Sequence, residues 1–410
     1  MSAEKRLNIL FTNNTLDIRG GSEMVILDLA KEFRRRGHFP IAFSTKLGQI
    51  EKELKQACIP VVSNLDAIGN APDIIHGQHH LEAMAAMAYF HDTPAVYVCH
   101  GWFPWVETPP VFSNIKKYVA VGELTREHIS NSCAVKREDI SIIPNFVDLE
   151  KFEVRKSINK VPVNAAIFGN GIGKNSTLVR SVAEACNLAG MKRLDLFGLR
   201  SGNPINNPQE VLPNYDIVFS VGRCAIEAMA VGSAVIICDE SGVAEMVRPE
   251  NMSAMFGRFG SSSLRKERLN ADFLCREIRK YDAAGVRQVT DWIREKVDLR
   301  HAADRYESVY REAIGRASIE TRNNVSGRDP RFVDVGKYIA SLAATIKGIE
   351  AESHGLNRLV DELQGQRSPA NRSTPPNRQL PAMVHRQHAQ SGGDRHSGAE
   401  GKPGGATHIQ

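Results

Sequence analysis

The sequence predicts an α/β protein built from two doubly wound, Rossmann-like domains, and three observations predict it. Strand-like and helix-like segments alternate from Leu7 onward, the signature of parallel sheets wound with crossover helices. Residues 216–219 and 234–237 are continuous β-branched and aromatic runs, the pattern of strands covered on both faces. At 410 residues the chain exceeds what one hydrophobic core usually serves, so two domains of about 150 residues and an appendage are expected.

In chain order, the first half offers strands at 7–12, 40–44, 73–76, 95–99, 118–121 and 140–143. Between the first two lies a helix over 22–36. It has Val25, Ile26, Leu29, Ala30 and Phe33 on one face, Ser22 as N-cap and Gly37 as the stop. The polar stretch 156–162 reads as the linker. The second half then supplies a strand at 164–168, a helix at 177–189 ended by Gly190, a strand at 193–197, and the 215–247 core of strand, helix and strand. Residues 271–317 are helical in period, with Trp292, Ile293, Tyr306, Val309, Tyr310 and Ile314 as packing positions. Val335, Ile339, Leu342, Ile346, Ile349, Leu356, Val360 and Leu363 form a heptad seam, read as a short coiled coil pairing chains into a homo-oligomer in preference to a helix packed back on the rest of the chain. From Gln366 the composition is that of a disordered tail. The domain reading is therefore 1–155, 156–317, 318–365 for the heptad helix, and 366–410 for the tail.

Hydrophobic residues at 42% and charged residues at 24% are ordinary for a soluble protein. No apolar run approaches the roughly 20 residues a membrane span needs, and the first residues lack a signal peptide's apolar region. Seven scattered cysteines without a C-x-x-C pair read as reduced, cytoplasmic core residues. A net charge of +5 is mild, and its cluster Arg34, Arg35 and Arg36 suits the negative end of a helix dipole better than nucleic acid. At most a peripheral membrane contact is left open.

Four stretches carry chemistry. In 225–230, an almost wholly apolar helix, Glu227 is the only charge. Burying it unpaired costs several kcal/mol, so it either meets an internal partner or projects into a crevice at the carboxyl end of the sheet, the reading preferred here. Gly20 and Gly21 stand between a strand and a helix N-terminus, where free N–H groups and the helix dipole can hold a phosphate, or where the chain simply turns. The loop 169–174, Gly-Asn-Gly-Ile-Gly-Lys, also opens a helix. It is not a Walker loop, since Phe168 and Asn175 stand where Gly and Ser or Thr are required, and its third glycine comes one residue early for a dinucleotide fingerprint. Arg223 begins a helix, where the dipole opposes a cation by about 0.3–1 kcal/mol, a penalty that a bound anion would remove.

Glu-Ala-Met-Ala with its following strand and Ser-Gly-Val-Ala-Glu-Met-Val, Gly-Gly-Ser-Glu at 20–23, Ile-Pro-Asn-Phe-Val-Asp at 143–148 and the 169–174 loop together resemble the retaining glycosyltransferases of family 4, over about residues 7–316. The resemblance implies the GT-B fold, with an acceptor-side first domain and a nucleotide-sugar donor domain second. It implies a metal-independent hexosyl transfer from a nucleotide diphosphate sugar, UDP-linked favoured, to a glycan or lipid-linked hydroxyl. Gly20, Gly21, Asn170, Lys174, Arg223, Glu227 and Glu245 would bind the donor, with Glu227 taking the ribose hydroxyls. His100 would be the catalytic histidine near the sugar, and His79 and His80 would line the acceptor side, joined by His76. No cofactor and no metal are expected: there is no Asp-x-Asp pair, and no carboxylate joins the histidines before Glu82. Two features depart from the family. Asn170 replaces a loop arginine, for which Arg223 is the expected substitute, and Phe219 replaces the first glutamate of the Glu-x7-Glu motif. A short segment at 198–214 also stands where another helix and strand are expected, narrowing the second sheet. The alternative function is a catalytically impaired binding or assembly subunit; a sugar-nucleotide epimerase on the same fold fits the motifs less well.

Overall fold

A computed structural model describes residues 5–101 and 105–323, together with nine single positions between 334 and 356. The chain divides into two compact units, Met1–Leu342 and Ala343–Gln410. In the second unit Thr345, Ile349, Glu352, Ser353 and Leu356 are helical. Half of the heptad positions and the whole tail lie outside the described residues.

In the first unit the elements run β1 (Asn8–Thr12), α1 (Gly21–Arg35), β2 (Phe39–Phe43), α2 (Gln49–Gln56), β3 (Val61–Val62), β4 (Ile74–Gly77), α3 (His80–Tyr89), β5 (Ala95–Cys99), β6 (Ile115–Ala120), α4 (Glu123–Cys133) and β7 (Ile140–Ile142). There follow β8 (Asn164–Phe168), α5 (Thr177–Leu188), β9 (Arg193–Phe197), α6 (Pro208–Val211), β10 (Ile217–Ser220), α7 (Gly222–Ala230), β11 (Ala234–Asp239), β12 (Gly242–Met246), α8 (Met252–Met255), α9 (Ala271–Ile278), α10 (Ala283–Lys296) and α11 (Leu299–Asn323). They build a seven-stranded sheet, β3-β2-β1-β4-β5-β6-β7, and a five-stranded one, β12-β11-β10-β8-β9. Every pairing is parallel except β11 with β12. The two-residue β3 and the antiparallel β12 escape the sequence reading, the first for its shortness, the second because Ser241 and Gly242 turn the chain straight back.

Both sheets are covered on both faces, and this explains the continuous apolar runs. Ile9 and Phe11 of β1 enter the core beneath α1 and α11, while Leu10 enters the core beneath α3. In the second sheet Val218 packs with α7 and α10, whereas Ile217 and Phe219 pack with α5 and α9. Burying each such side chain stabilises by about 1.5–3 kcal/mol. The second sheet has the expected narrowness, because 198–214 yields only the short α6 before the next 3-10 turn.

Helix α1 corrects one expectation. Its N-cap is Gly20, with no side-chain cap; Ser22 lies inside the helix and donates to Glu23 Oε2 at 3.0 Å. Arg35 and Arg36 both clasp Glu32, and Arg36 also reaches Asp304 at 2.6 Å, so the basic cluster is structural. The long α11 leaves the second half and lies on the first sheet, with Tyr306 and Tyr310 in that core. Val335 and Tyr338 pack at the opposite face, against the core that holds Met84 and Tyr97. At the start of β10, Asp216 receives four donors: Arg155 Nη2 at 2.8 Å, Asn159 Nδ2 at 3.0 Å, and the Val163 and Asn164 amides at 2.8 and 3.1 Å. This knot ties the linker to the second sheet.

Candidate active site between the two sheets

Strand order reverses at β1/β4 in the first sheet and at β10/β8 in the second, and open α/β sheets bind ligands at such points. The loops after these strands meet. Asn170 Nδ2, after β8, donates to the Arg19 carbonyl, after β1, at 2.9 Å. Alongside, Gln49 Nε2 donates to Asn206 Oδ1 at 3.2 Å. A Cβ at Gly20 would stand 2.2 Å from Glu23 Oε2, the movable end of a side chain, whereas Gly21 faces open space. Glu23 itself is held by the Thr15 hydroxyl at 2.6 Å. Behind the second loop, Gly198 has φ +149° and would drive a Cβ to 2.1 Å from the Gly169 carbonyl, so that only glycine fits. The Gly173 amide donates to Glu240 Oε1 at 2.8 Å, so this loop already holds an oxyanion. Lys174 is exposed and has no ion pair among the described residues.

Glu227 and Arg223 come together, but with each other. Arg223 Nε donates to Glu227 Oε1 at 2.9 Å, and its Nη2 donates to Asp28 Oδ2 of α1. The guanidinium also stands over the Phe146 ring, 5.8 Å from its centroid. All three charged residues are buried, at 3%, 7% and 5% exposure for Asp28, Arg223 and Glu227. The carboxylate expected free in a crevice is thus half of an ion pair, and the arginine expected at a diphosphate is fixed between two carboxylates. The anion that offsets the helix dipole at Arg223 is protein. Burial pushes Glu227 upward against the attraction of Arg223, and the paired carboxylates keep Arg223 charged despite its burial. Phe219, at the place of the family's first glutamate, is fully buried on the α5 face of β10. Glu245 lies on β12, 3.6 Å from Arg268, and joins no other donor-side residue in an ion pair.

The histidines diverge. His76 Nδ1 meets the Tyr310 hydroxyl at 2.5 Å, and its Nε2 meets Gln78 Nε2 at 3.0 Å. Gln78 Oε1 in turn meets His100 Nε2 at 2.9 Å. His100 directly follows β5 and is half-buried. His79, at a left-handed φ of +55°, accepts the Asn14 amide on Nδ1 at 3.2 Å and directs Nε2 to Glu107 Oε1 at 3.2 Å. With Nδ1 accepting from Asn14, the N–H directed at Glu107 is that of Nε2. His80 lies edge-on to Trp105, with centroids 4.4 Å apart. Burial drives His76 down to about 3 and His80 to about 4; His100 also falls to about 4, mainly by burial, with His79 and Arg223 assisting. Burial alone would raise Glu107, yet the His79 N–H and the neighbouring imidazoles hold it below the usual range.

Sequence reasoning misses Asp28, Arg19, Gln78, Glu107 and Asn145. Arg19 directly precedes the glycine pair and its charge acts on Glu227, a neighbourhood visible in the local sequence. Asp28 gives no local signal, because its partner is 195 residues away.

Residues 60–151, which carry Gln78, His79, His80, His100, Glu107 and Asn145, match the family model described as Glycosyltransferase Family 4. No curated protein sequence matches. Among solved structures, HepE from Anabaena, crystallised with UDP and glucose, is similar with a TM-score of 0.53 at 14% identity, over 74% of this chain and 99% of HepE. A glycosyltransferase from Rickettsia africae aligns with a TM-score of 0.49 at 16% identity, over 75% of this chain and 99% of its own. The HepE likeness shows a shared fold. Residues 60–151, on the first sheet, thus match glycosyltransferase family 4, and the chain as a whole has the GT-B fold.

Proposed function

We propose that the chain moves a hexose, with retention, from a nucleotide diphosphate sugar to a hydroxyl of a glycan or lipid-linked acceptor. The observation that carries this reading is the meeting of the two glycine loops, joined by Asn170 Nδ2 and the Arg19 carbonyl at 2.9 Å. A diphosphate at that junction would face the N-terminus of α1, the amides of 169–173 and the Lys174 ammonium. It would exchange with the Glu240 carboxylate at Gly173. Arg19, paired with Glu53 but still partly exposed, is the better candidate for the second cation than Arg223, which is buried between Asp28 and Glu227. Oriented dipoles and fixed cations of this kind can stabilise the departing diphosphate without a divalent metal. His100, neutral and anchored to Gln78, would contact the transferred sugar. UDP is the favoured nucleotide, a choice to which HepE, solved with UDP and glucose, lends support. Buried thiols suit a reducing cytoplasm.

The test is calorimetric titration of the protein with UDP, GDP, ADP and CDP, followed by incubation with the corresponding hexose donors and NMR reading of the product anomer. Lys174→Ala should weaken the preferred nucleotide about tenfold, as loss of one charge-assisted phosphate contact predicts. Absence of any nucleotide binding, nucleotide binding without consumption of any donor, or an inverted anomer would overturn the proposal.

A further inference from the structure

Tyr310, His76 and Gln78 are each 0% exposed, and with His100 they form one unbroken line of hydrogen bonds. The line begins on the crossing helix α11, where the Tyr310 hydroxyl meets His76 Nδ1 at 2.5 Å. His76 Nε2 meets Gln78 Nε2 at 3.0 Å, and Gln78 Oε1 meets His100 Nε2 at 2.9 Å. Packing leaves these groups little room to turn. The His76 ring lies between Phe11 and Tyr306, with centroids 4.9 and 5.3 Å away, and the Gln78 backbone N–H donates to the Thr12 hydroxyl at 3.3 Å.

A side-chain amide has one donating and one accepting end, so Gln78 imposes opposite roles on the two Nε2 atoms it joins. Facing the Gln78 NH2 group, His76 Nε2 must accept; facing the Gln78 carbonyl, His100 Nε2 must donate. Burial keeps both rings neutral, with the Arg223 charge assisting at His100, and a neutral imidazole has a single N–H. His76 therefore carries its proton on Nδ1 and donates it to the Tyr310 oxygen, while His100 carries its proton on Nε2 and keeps Nδ1 as an acceptor.

We infer that Gln78 is the positioning residue of the site: its amide fixes the plane and the tautomer of the His100 ring, in the sense opposite to His76. The inference rests on the transferase reading above, in which His100 contacts the transferred sugar. Gln78, fully buried, acts through His100 alone. A ring free to rotate or to exchange tautomers would meet the sugar in its productive form only part of the time, and a supporting hydrogen bond removes that loss before substrate arrives.

The experiment is nitrogen NMR on the full-length, ligand-free protein with isotope-labelled histidine, the two rings being assigned from His76→Gln and His100→Gln variants. At neutral pH His76 should read as the Nδ1–H tautomer and His100 as Nε2–H. Gln78→Glu offers an acceptor at both ends, so it should leave His100 on Nε2–H and convert His76 to Nε2–H, a change that a merely space-filling residue would not cause. Gln78→Leu removes both ends. His100 should then exchange between tautomers, and kcat with the preferred donor should fall about ten- to a hundredfold at unchanged nucleotide affinity, as loss of ring orientation predicts. Melting curves confirm that the variants fold; if Gln78→Glu does not, the wild-type spectrum and Gln78→Leu decide. Both rings in the same tautomer in the wild type, a wild-type His100 that already exchanges, His76 unmoved in folded Gln78→Glu, or kcat unchanged in Gln78→Leu overturns the inference. A protein that turns over no donor sinks the transferase reading, whereas the tautomer spectra need no substrate and still decide whether Gln78 sets the His100 ring.

Discussion

Substituting Arg223 by alanine isolates the contact on which the arrangement of α1 and α7 depends. Its guanidinium is 7% exposed and bonded to Asp28 of α1 and Glu227 of α7; Lys151, 3.7 Å from Asp28, and Arg19, whose charge acts on Glu227, are further cations nearby. Removing it leaves two carboxylates buried at 3% and 5% exposure, and breaking a buried pair in this way costs about 3–5 kcal/mol. Against a total stability on the order of 5–15 kcal/mol, this should lower the melting temperature by roughly 5–15 °C. Calorimetric melts of Arg223→Ala read it. The informative control is the triple variant Arg223→Met, Asp28→Leu, Glu227→Leu, which removes all three charges and their desolvation cost together; it should recover most of the loss. A single variant melting within about 2 °C of wild type, well under the shift a buried pair predicts, or a triple variant less stable than the single, would refute the account.

Three further outcomes follow from the geometry. Gly198→Ala must fit a Cβ 2.1 Å from the Gly169 carbonyl at φ +149°, so it should cost roughly 2–4 kcal/mol in urea unfolding and weaken nucleotide binding by shifting the glycine loop. Asp216→Asn should cost about 1.5–3 kcal/mol at neutral pH, because four donors favour the ionised carboxylate and hold its pKa below 3.8. That stabilisation is present above the unfolded value and lost as pH falls through the folded one, so melts of variant and wild type should converge in acid. His76, lowered from 6.5 to about 3, is neutral when folded and takes a proton when unfolded. It contributes stability that is whole above about pH 6.5 and falls by up to about 1.4 kcal/mol per unit below it, a limb that His76→Gln should flatten in pH-dependent unfolding.

Much of the scaffold is readable without coordinates, for a physical reason. A parallel strand buried on both faces must be apolar at consecutive positions, and residues 164–168 coincide with β8 at both ends; the edge strand β9 is read at 193–197 from alternation, with Arg193 and Asp195 set among apolar residues. Helix stops at Gly37 and Gly190 are equally local, since each adopts the positive φ that glycine tolerates. The start of α1 is less readable: Ser22 resembles an N-cap, but the backbone turns two residues earlier, where Gly20 leaves room for the returning Glu23 carboxylate. Of the four edge strands, β3 and β12 escape, because they are fixed by what they lie beside rather than by their own pattern.

Glu227 shows where sequence reasoning reaches its limit. One half of its partnership is local: Arg223 precedes it by four residues on the same helix, a spacing at which opposite charges meet. That spacing favours the internal partner over the crevice. The other half is not local, for Asp28 stands on a helix of the other sheet and no residue around it announces an arginine 195 positions on. The consequence reaches the donor loops. Asp28 lies two turns along α1 from the Gly20–Gly21 turn, on a helix that is rigid over that distance, while Arg223 sits at the N-terminus of α7, directly after the strand beside β8 and its glycine loop. The buried ion pair therefore sets the separation at which the two glycine loops face each other. Arg223 and Glu227 fix the frame within which Asn170 and Arg19 meet.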